Sequence, residues 1–305
     1  MAYKYQKLNT KIVSEYPEVN FKKNNDYTNI SLGYFCKIFL GFFLVFLIIF
    51  FFISTIVYKT NFNYQSRLSY SKSSKTNDLT VTWSDIFNFN YDDNYLEYYK
   101  EENPQKIIRV KPNTIKYDRN IIPKYVYRAN MTDLEYNTWY NYNLKTSSGT
   151  SETFKFKVPE KSNQDYKILF FGDLGVKEDI SRNQIINEIK TYDYKFMFHL
   201  GDLAYNLQEK GGLQGDIFLS RMQEATSIVP YMVIPGNHEY WDNFSNYIYR
   251  FSMPNYQVTN NFYYTIEQPP LKMININTEL FYDEYLKKRF FNQIDFISKE
   301  LSRIN

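Results

Sequence analysis

Three residues with hard oxygen donors each follow a glycine at the end of an apolar run. They are Asp173, Asp202 and Asn237, and Asn237 is followed directly by His238. Carboxylates held side by side repel each other unless a positive charge lies between them. A divalent or trivalent metal ion supplies that charge, so these residue types predict a metal site.

Two further side chains accompany these donors. Tyr205 lies three residues after Asp202. A phenol ordinarily ionises at about pH 10, but a trivalent cation can hold it as phenolate. His238, beside Asn237, is placed to contact whatever the metal activates.

Each feature also has an ordinary structural explanation. A single Gly-Asp pair after a strand is usually only a turn, but coincidence is improbable when such pairs follow three successive strands. His199 lies inside a strand, three residues before Asp202. We therefore interpret it as a hydrogen-bonded core or supporting histidine. Glu239 fits a supporting role and a plain turn residue equally well.

The surrounding segments predict an α/β layer that brings these residues to one edge. Apolar strands alternate with segments of helical spacing, which is typical of a mostly parallel sheet with helices on its faces. Ligands of such sheets bind at the carboxyl ends of the strands. The predicted order is strand 166–175, helix 179–192, strand 195–205, helix 217–229, strand 231–239, two strands within 261–280 and helix 290–304.

The region before this layer has a different pattern. Six short runs between residues 79 and 158 alternate apolar and polar side chains and are separated by Asn, Pro, Gly and Ser. This alternation predicts an antiparallel sandwich of immunoglobulin size. No grouping of residues with catalytic chemistry occurs in it.

Residues 38–57 predict a single transmembrane helix. They are uncharged, and as a helix they cover about 30 Å of hydrocarbon. A polar tail at 1–37 precedes them, which argues against a cleaved signal peptide and favours a signal anchor with the C-terminal part lumenal or extracellular. Basic residues on both sides leave the positive-inside rule undecided. Glycosylation sequons at Asn130 and Asn243 agree with this single-pass membrane topology.

Composition excludes little else. The net charge of +3, with both signs interspersed, gives no argument for nucleic acid binding. A single cysteine, Cys36, excludes an internal disulfide.

The motifs around the donors resemble those of a known family. "GDLG" at 172–175, "GDLAY" at 201–205 and "GNHE" at 236–239 resemble the first three of five metal-binding motifs of the purple acid phosphatases. "NTEL" at 277–280 is also similar, and the runs at 79–158 resemble the fibronectin-like domain of the larger members.

This resemblance implies a fold class and a domain plan. The fold would be an N-terminal transmembrane helix, an all-β fibronectin/immunoglobulin-like sandwich and an incomplete α/β metallophosphoesterase layer. The implied domains are the tail at 1–37, the helix at 38–57, a linker at 58–77, a fibronectin-like domain at 78–160 and the first half of a catalytic domain at 165–305.

The resemblance also implies an activity. A dinuclear centre, Fe(III) plus Zn, Fe or Mn, would hydrolyse phosphomonoesters through a metal-bound hydroxide. Asp173 and the phenolate of Tyr205 would bind the ferric ion, and Asp202 would bridge the two metals. Asn237 would bind the second metal and contact the substrate. His238 would hydrogen-bond the phosphate or assist the leaving group.

The resemblance breaks at the last two motifs, Val-x-x-His and Gly-His-x-His. They supply three histidine ligands, whereas this sequence has only His199 and His238. The second ion would then keep Asp202 and Asn237 alone and bind weakly. We expect a truncated copy or an incomplete gene model of an active phosphatase, inactive by itself and prone to misfold because a strand is left unpaired.

Two other readings of the sequence stay open. A non-catalytic membrane-tethered remnant would act as a binding module and form a stable, monodisperse ectodomain. Another metallophosphoesterase, such as a nucleotidase or a protein phosphatase, would share the Asp, Asp and Asn donors. It fits less well, because Tyr205 and the sandwich favour the acid phosphatases.

Overall fold

A computed structural model describes most of the chain. The described residues are 32–61, 64–72, 75–85, 93–117, 124–147, 149–161, 166–177, 179–282 and 286–303. The predicted polar tail at 1–37 lies outside them, except for residues 32–37. The chain divides into two units, Met1–Thr55 and Ile56–Asn305.

Helix α1 (Leu32–Asn61) contains the segment predicted to cross a membrane. Residues Cys36–Ser54 have a mean hydropathy of 2.9, and none of this stretch is buried. A signal sequence meets the same criteria of length and composition as a membrane anchor. Single-pass anchoring therefore stays a prediction.

Two antiparallel sheets form the first part of the larger unit. Their strands are β1 (Arg67–Lys72), β2 (Lys75–Asp85), β3 (Tyr95–Lys100), β4 (Ile108–Val110), β5 (Asn113–Tyr117), β6 (Lys124–Met131), β7 (Thr138–Thr146), β8 (Gly149–Thr150) and β9 (Phe154–Val158). One sheet has the order β1-β2-β6-β5 and the other β4-β3-β7-β8, with β9 also paired to β7.

Alternation along the strands explains why these sheets form. In β7, Tyr140, Tyr142 and Leu144 are buried while the residues between them are partly exposed. Trp83 of β2 stacks on Tyr127 of β6 with ring centroids 5.3 Å apart. The predicted antiparallel strands are therefore confirmed, whereas likeness to a fibronectin domain stays a prediction.

The predicted linker at 58–77 is wrong for its second half, because β1 lies there and β2 begins there. The polar composition of this segment conceals a buried strand. Arg67 Nε donates to the carbonyl of Arg250 at 2.7 Å, and Ser69 Oγ donates to the carbonyl of Ser252 at 2.6 Å. Hydrogen bonds to the α/β layer thus satisfy the polar side chains that the pattern assigns to solvent.

The α/β layer follows. Its elements are β10 (Lys167–Phe171), α2 (Asp179–Thr191), β11 (Tyr194–Leu200), α3 (Leu213–Thr226), β12 (Tyr231–Ile234), α4 (Trp241–Arg250), α5 (Tyr256–Thr259), β13 (Tyr264–Gln268), β14 (Leu271–Asn275) and α6 (Lys287–Leu301). β10, β11 and β12 form a parallel sheet in that order, and β13 and β14 form an antiparallel pair. The predicted strand–helix alternation is confirmed.

The strand register decides where the candidate residues lie. Phe171 pairs with His199, and Leu200 pairs with Ile234. All three parallel strands therefore end at the same edge of the sheet. The segments after them, which begin at Gly172, Gly201 and Pro235, are neighbours in space although they are far apart in sequence.

Candidate metal centre

Side-chain contacts join the three strand ends. Tyr205 Oη donates to Asp173 Oδ1 at 2.8 Å, which connects the segments after β10 and β11. The backbone N–H of His238 donates to Asp202 Oδ1 at 3.1 Å, which connects the segments after β11 and β12. Four of the five predicted site residues therefore meet at one edge. The fifth, Asn237, begins a 3-10 turn there with its side chain exposed.

Close backbone approach makes a glycine necessary in this turn. A Cβ atom added to Gly236 would lie 2.3 Å from Asp202 Oδ1, which no real contact allows. The absence of a side chain at Gly236 lets the segment after β12 lie against the carboxylate of Asp202. This close contact between the segments after β11 and β12 explains why a glycine precedes Asn237.

Several residues at this edge adopt left-handed backbone angles. The φ values of Asp173, Asp202, Tyr205 and Asn206 are 53°, 50°, 48° and 82°. Asp and Asn tolerate this region, but a bulky residue such as Tyr205 is uncommon in it. Such angles cost about 1–2 kcal/mol each and persist where surrounding contacts enforce them. The fold therefore holds the oxygen donors in place at an energetic cost.

Glu239 holds the second and third segments together. Its carboxylate is buried and accepts the backbone N–H groups of Asp202, Leu203 and Gly236, each at 2.9 Å. Burial raises the pKa of Glu239 to about 7, while these three donors act in the opposite direction. Of the two readings of Glu239, the supporting role is the one observed.

Asn206 orients the imidazole of His238, which the sequence alone did not indicate. Asn206 Oδ1 lies 2.9 Å from His238 Nδ1, and Asn206 Nδ2 donates to Glu209, which fixes the orientation of the amide. His238 Nδ1 therefore carries the proton in this pair. The other ring nitrogen, Nε2, lies 4.0 Å from Asp202 Oδ2.

Glu279 is a second residue that sequence reasoning left without a role. It lies in the 3-10 turn Thr278–Phe281 that follows β14. Partial burial raises the pKa of the Glu279 carboxyl, and the negative charge of Asp202 raises it further. The "NTEL" segment therefore lies near enough to the candidate site for the charge of Asp202 to act on Glu279. In the sequence, the signal for Glu279 is its position in a polar turn directly after a strand, where the other candidate site residues also lie.

His199 is a core residue, as predicted. It is fully buried, and its Nδ1 lies 2.7 Å from the hydroxyl of Tyr231. The rings of Phe171 and Phe218 lie 4.5 Å and 6.0 Å from the imidazole, centroid to centroid. Burial lowers the pKa of His199 to about 3.

Acid should destabilise the fold through His199. The unfolded chain binds this proton below its ordinary pKa of 6.5, whereas the folded chain does so only below about 3, so stability falls as the pH falls through this window. At about pH 4.5 the loss is about 2–3 kcal/mol relative to neutral pH. In urea unfolding of the full chain, His199→Gln should reduce the acid-induced loss by this amount. An unchanged loss in the variant would contradict the assignment.

The donor set fits one hard cation better than two. Asp173 and Tyr205 present converging oxygens, with Asp202 on the adjoining segment. In the part of the chain that the structure describes, no three His, Cys, Asp or Glu side chains are grouped at metal-binding distance. A metal ion at this edge would therefore need the phenol of Tyr205 and the amide of Asn237 as well as the carboxylates.

Comparison with known proteins assigns part of the chain to a family. The family model of the calcineurin-like phosphoesterases matches residues 166–300. Acid phosphatase type 7 of Danio rerio is 36% identical over 188 residues, which cover 59% of this chain and 41% of the relative. The Homo sapiens protein of the same name is 30% identical over 176 residues, which cover 56% and 40%.

Some relatives are named as inactive. Probable inactive purple acid phosphatase 27 of Arabidopsis thaliana is 28% identical over 207 residues, covering 57% of this chain and 32% of the relative. The chain therefore spans less than half the length of the relatives described here.

The fold has a counterpart among solved structures. Purple acid phosphatase PPD1 from yellow lupin seeds superimposes with a TM-score of 0.64 at 22% identity, covering 79% of this chain and 48% of that one. This match shows a metallophosphoesterase-like α/β fold. Residues 166–300 are thus a calcineurin-like phosphoesterase domain, and the homologues of the chain are purple acid phosphatases.

Proposed function

We propose that this chain supplies the first half of the active site of a metal-dependent acid phosphatase that acts on phosphomonoesters. The observation that carries the proposal is the hydrogen bond of 2.8 Å between Tyr205 Oη and Asp173 Oδ1. This contact joins two segments at the ligand-binding edge of the sheet. A phenol and a carboxylate converging beside Asp202 form an oxygen-rich donor set for a hard trivalent cation.

In this proposal each donor has a distinct role. Asp173 and Tyr205 would hold Fe(III), Asn237 would hold a second ion (Zn, Fe or Mn), and Asp202 would be a ligand shared by both ions. Bound ions supply positive charge for the phosphate and lower the pKa of bound water. Glu239 accepts the backbone N–H of Asp202 and so keeps this residue in position, while the Asp202 side chain accepts one hydrogen bond, from His238 N to Oδ1.

His238 is the proposed catalytic residue that this chain supplies. Asn206 accepts the Nδ1 proton, so only the doubly protonated imidazolium form of His238 would carry an Nε2 proton that could hydrogen-bond the phosphate or pass to the leaving alcohol. The backbone N–H of His238 contacts Asp202, so the imidazole stays beside the bridging carboxylate. Phosphate binding and leaving-group protonation would thus depend on one side chain.

A binding module is the second candidate. The sequence has two histidines, of which His199 is buried in the core, so it lacks the three imidazole ligands that the family resemblance calls for. Only Asp202 and Asn237 are left for a second ion, and an amide is a weak ligand. We expect residues 1–305 alone to bind one ion and phosphate without turnover.

Phosphate binding by the ferric-loaded full chain in detergent tests the proposed function. Orthophosphate should change the visible absorption of the bound ion, and His238→Gln should weaken phosphate binding about tenfold because a charge-assisted hydrogen bond is lost. Glu224→Gln, which alters an exposed carboxylate paired with Lys190 and contacts no candidate site residue, is the control and should bind normally. Equal phosphate affinity in the wild type and in His238→Gln would contradict the role of His238.

Membrane anchoring and a lumenal or extracellular location are also proposed, with a fibronectin-like domain between the anchor and the phosphoesterase domain. The two sequon asparagines, Asn130 and Asn243, are exposed and therefore accessible to glycosylation. Expression in eukaryotic cells should give a chain whose electrophoretic mobility rises after glycosidase treatment. The double variant Asn130→Gln/Asn243→Gln should show no such change. A wild-type chain that glycosidase leaves unaltered would contradict this topology.

A further inference from the structure

A cleft of about 380 Å³ lies far from the candidate metal centre. Tyr194 and Lys195, at the start of β11, line it, whereas Asp202 follows the end of the same strand. The opposite wall comes from β7 and β9 of the second antiparallel sheet. The cleft therefore lies where the β sheets meet the α/β layer, and junctions of this kind are frequent ligand sites.

Aromatic rings are accessible in this cleft. Trp139 is 44% exposed and Tyr192 is 47% exposed, although both are large apolar side chains. Lys155 Nζ lies 4.7 Å from the centroid of the Trp139 ring, so this ring already makes a cation–π contact. A flat ligand ring could replace water on these surfaces with a favourable stacking contact.

Lys195 provides a buried cation in the same cleft. It is only 7% exposed, and its ammonium group donates to the backbone carbonyl of Glu160. A carbonyl oxygen is neutral and does not offset the charge. Within the described residues, no carboxylate oxygen lies within salt-bridge distance of Lys195 Nζ. Burial lowers the pKa of Lys195, although the charges of Glu160 and Asp193 oppose this shift.

The remaining charges leave this ammonium group available for a ligand. Asp193 faces Lys157 at 3.9 Å, and Lys155 pairs with Glu101 at 2.6 Å. In each of these pairs, at the rim of the cleft, the negative charge is balanced by a positive one. An oxyanion that enters the cleft would give Lys195 the negative partner it lacks, and a charge-assisted hydrogen bond is about twice as strong as a neutral one.

We propose that this cleft binds an organic anion that carries a flat aromatic ring. The ring would lie against Trp139 and Tyr192, and the oxyanion would face Lys195. This site is independent of the candidate metal centre, because it needs neither a metal nor any of the strand-end residues. Nucleoside monophosphates and aryl carboxylates share the required chemistry.

Adenosine 5′-monophosphate is a suitable probe, titrated by calorimetry into the full chain with chelator present. Adenosine and orthophosphate each carry half of the recognised chemistry and should bind at least tenfold more weakly. Lys195→Met, which keeps the side-chain length, and the exposed-site variant Trp139→Ala should each weaken binding about tenfold. Asp202→Asn should bind like the wild type, which separates this cleft from the strand-end site.

Lys145→Gln is the matched control. Lys145 also lies over an aromatic ring, with Nζ 5.4 Å from the centroid of Tyr95, but it is not part of the cleft. Normal binding in Lys145→Gln together with weakened binding in the two cleft variants is the expected result. The proposal is overturned if the wild type does not bind the nucleotide, or if Lys195→Met and Trp139→Ala bind it as tightly as Lys145→Gln does.

Discussion

Replacing Asp202 with Asn should lower the affinity of the full chain for ferric ion about a hundredfold. Asp202 follows the central strand β11: its side chain accepts from His238 N and its backbone N–H donates to Glu239, both after β12, while the carbonyl of the preceding Gly201 accepts from Asp173 N after β10. The substitution keeps the shape of the side chain but removes a negative charge that a trivalent ion needs. Loss of even an outer partner of a metal ligand typically costs about 10–100-fold in metal affinity, so a ligand itself should cost at least as much.

A chelator competition assay measures this effect, and Asp133→Asn is its control. Asp133 has the same left-handed backbone, with a φ of 52°, but it lies in the first part of the larger unit, between β6 and β7. Its substitution tests whether a loss of affinity follows from altering any strained aspartate. Ferric affinities that agree within twofold for Asp202→Asn and the wild type would be evidence against Asp202 as a ligand.

Replacing Asp216 with Asn should lower the free energy of unfolding by about 3–5 kcal/mol. Asp216 is buried in α3 and contacts Arg250 Nη1 at 2.6 Å and the ammonium group of Lys124. Burial alone would raise the pKa of Asp216, but Lys124 and Arg250 lower it overall. Without the carboxylate charge, the buried cations Lys124 and Arg250 would lie close together with less negative charge to offset their repulsion.

The same carboxylate joins the β sheets to the α/β layer, because Lys124 belongs to β6 and Arg250 to α4. Urea unfolding of the full chain should therefore show both parts losing structure together. Glu224→Gln is the matched control: Glu224 pairs with Lys190 at the surface, and an exposed pair contributes about 0–1 kcal/mol. Equal losses of stability in the Asp216 and Glu224 variants would contradict the structural role of Asp216.

The sequence was sufficient to predict the parallel strands and the meeting of their ends. Continuous apolar runs that end in Gly-Asp or Gly-Asn fix both the type of element and the edge at which it stops. The contacts of Tyr205 with Asp173 and of His238 with Asp202 follow from that topology. Chemistry and spacing therefore predict that these strand-end residues meet, while their role as metal donors stays a prediction.

Long-range polar burial was not predictable in this way. The Ser-, Lys- and Asn-rich composition without periodicity predicts a linker where strand β1 lies, and Arg67 and Ser69 are two of the polar residues of that strand. Both instead bond to backbone carbonyls of residues about 180 positions away, Arg250 and Ser252. Hydropathy along the chain contains no information on such partners, so a buried polar strand is easily read as a loop.

Supporting residues of the site were missed for a related reason. Glu239 was ambiguous because its role depends on three backbone N–H groups, two of which belong to the segment after β11. Asn206 contacts His238, and the charge of Asp202 acts on the pKa of Glu279, and both relations exist only in the folded chain. Ligand-type residues can be recognised by their own chemistry, whereas the residues that hold them require the three-dimensional arrangement.

Visible absorption of the ferric-loaded full chain tests the central claim most directly, namely that Tyr205 and the strand-end carboxylates form a metal site. A phenolate bound to Fe(III) gives a charge-transfer band that free tyrosine lacks. This band should appear in the wild type and in Tyr192→Phe, a control at another exposed tyrosine, and should be absent in Tyr205→Phe. A band of full intensity in Tyr205→Phe, or none in the wild type after one equivalent of ferric ion is bound, would contradict it.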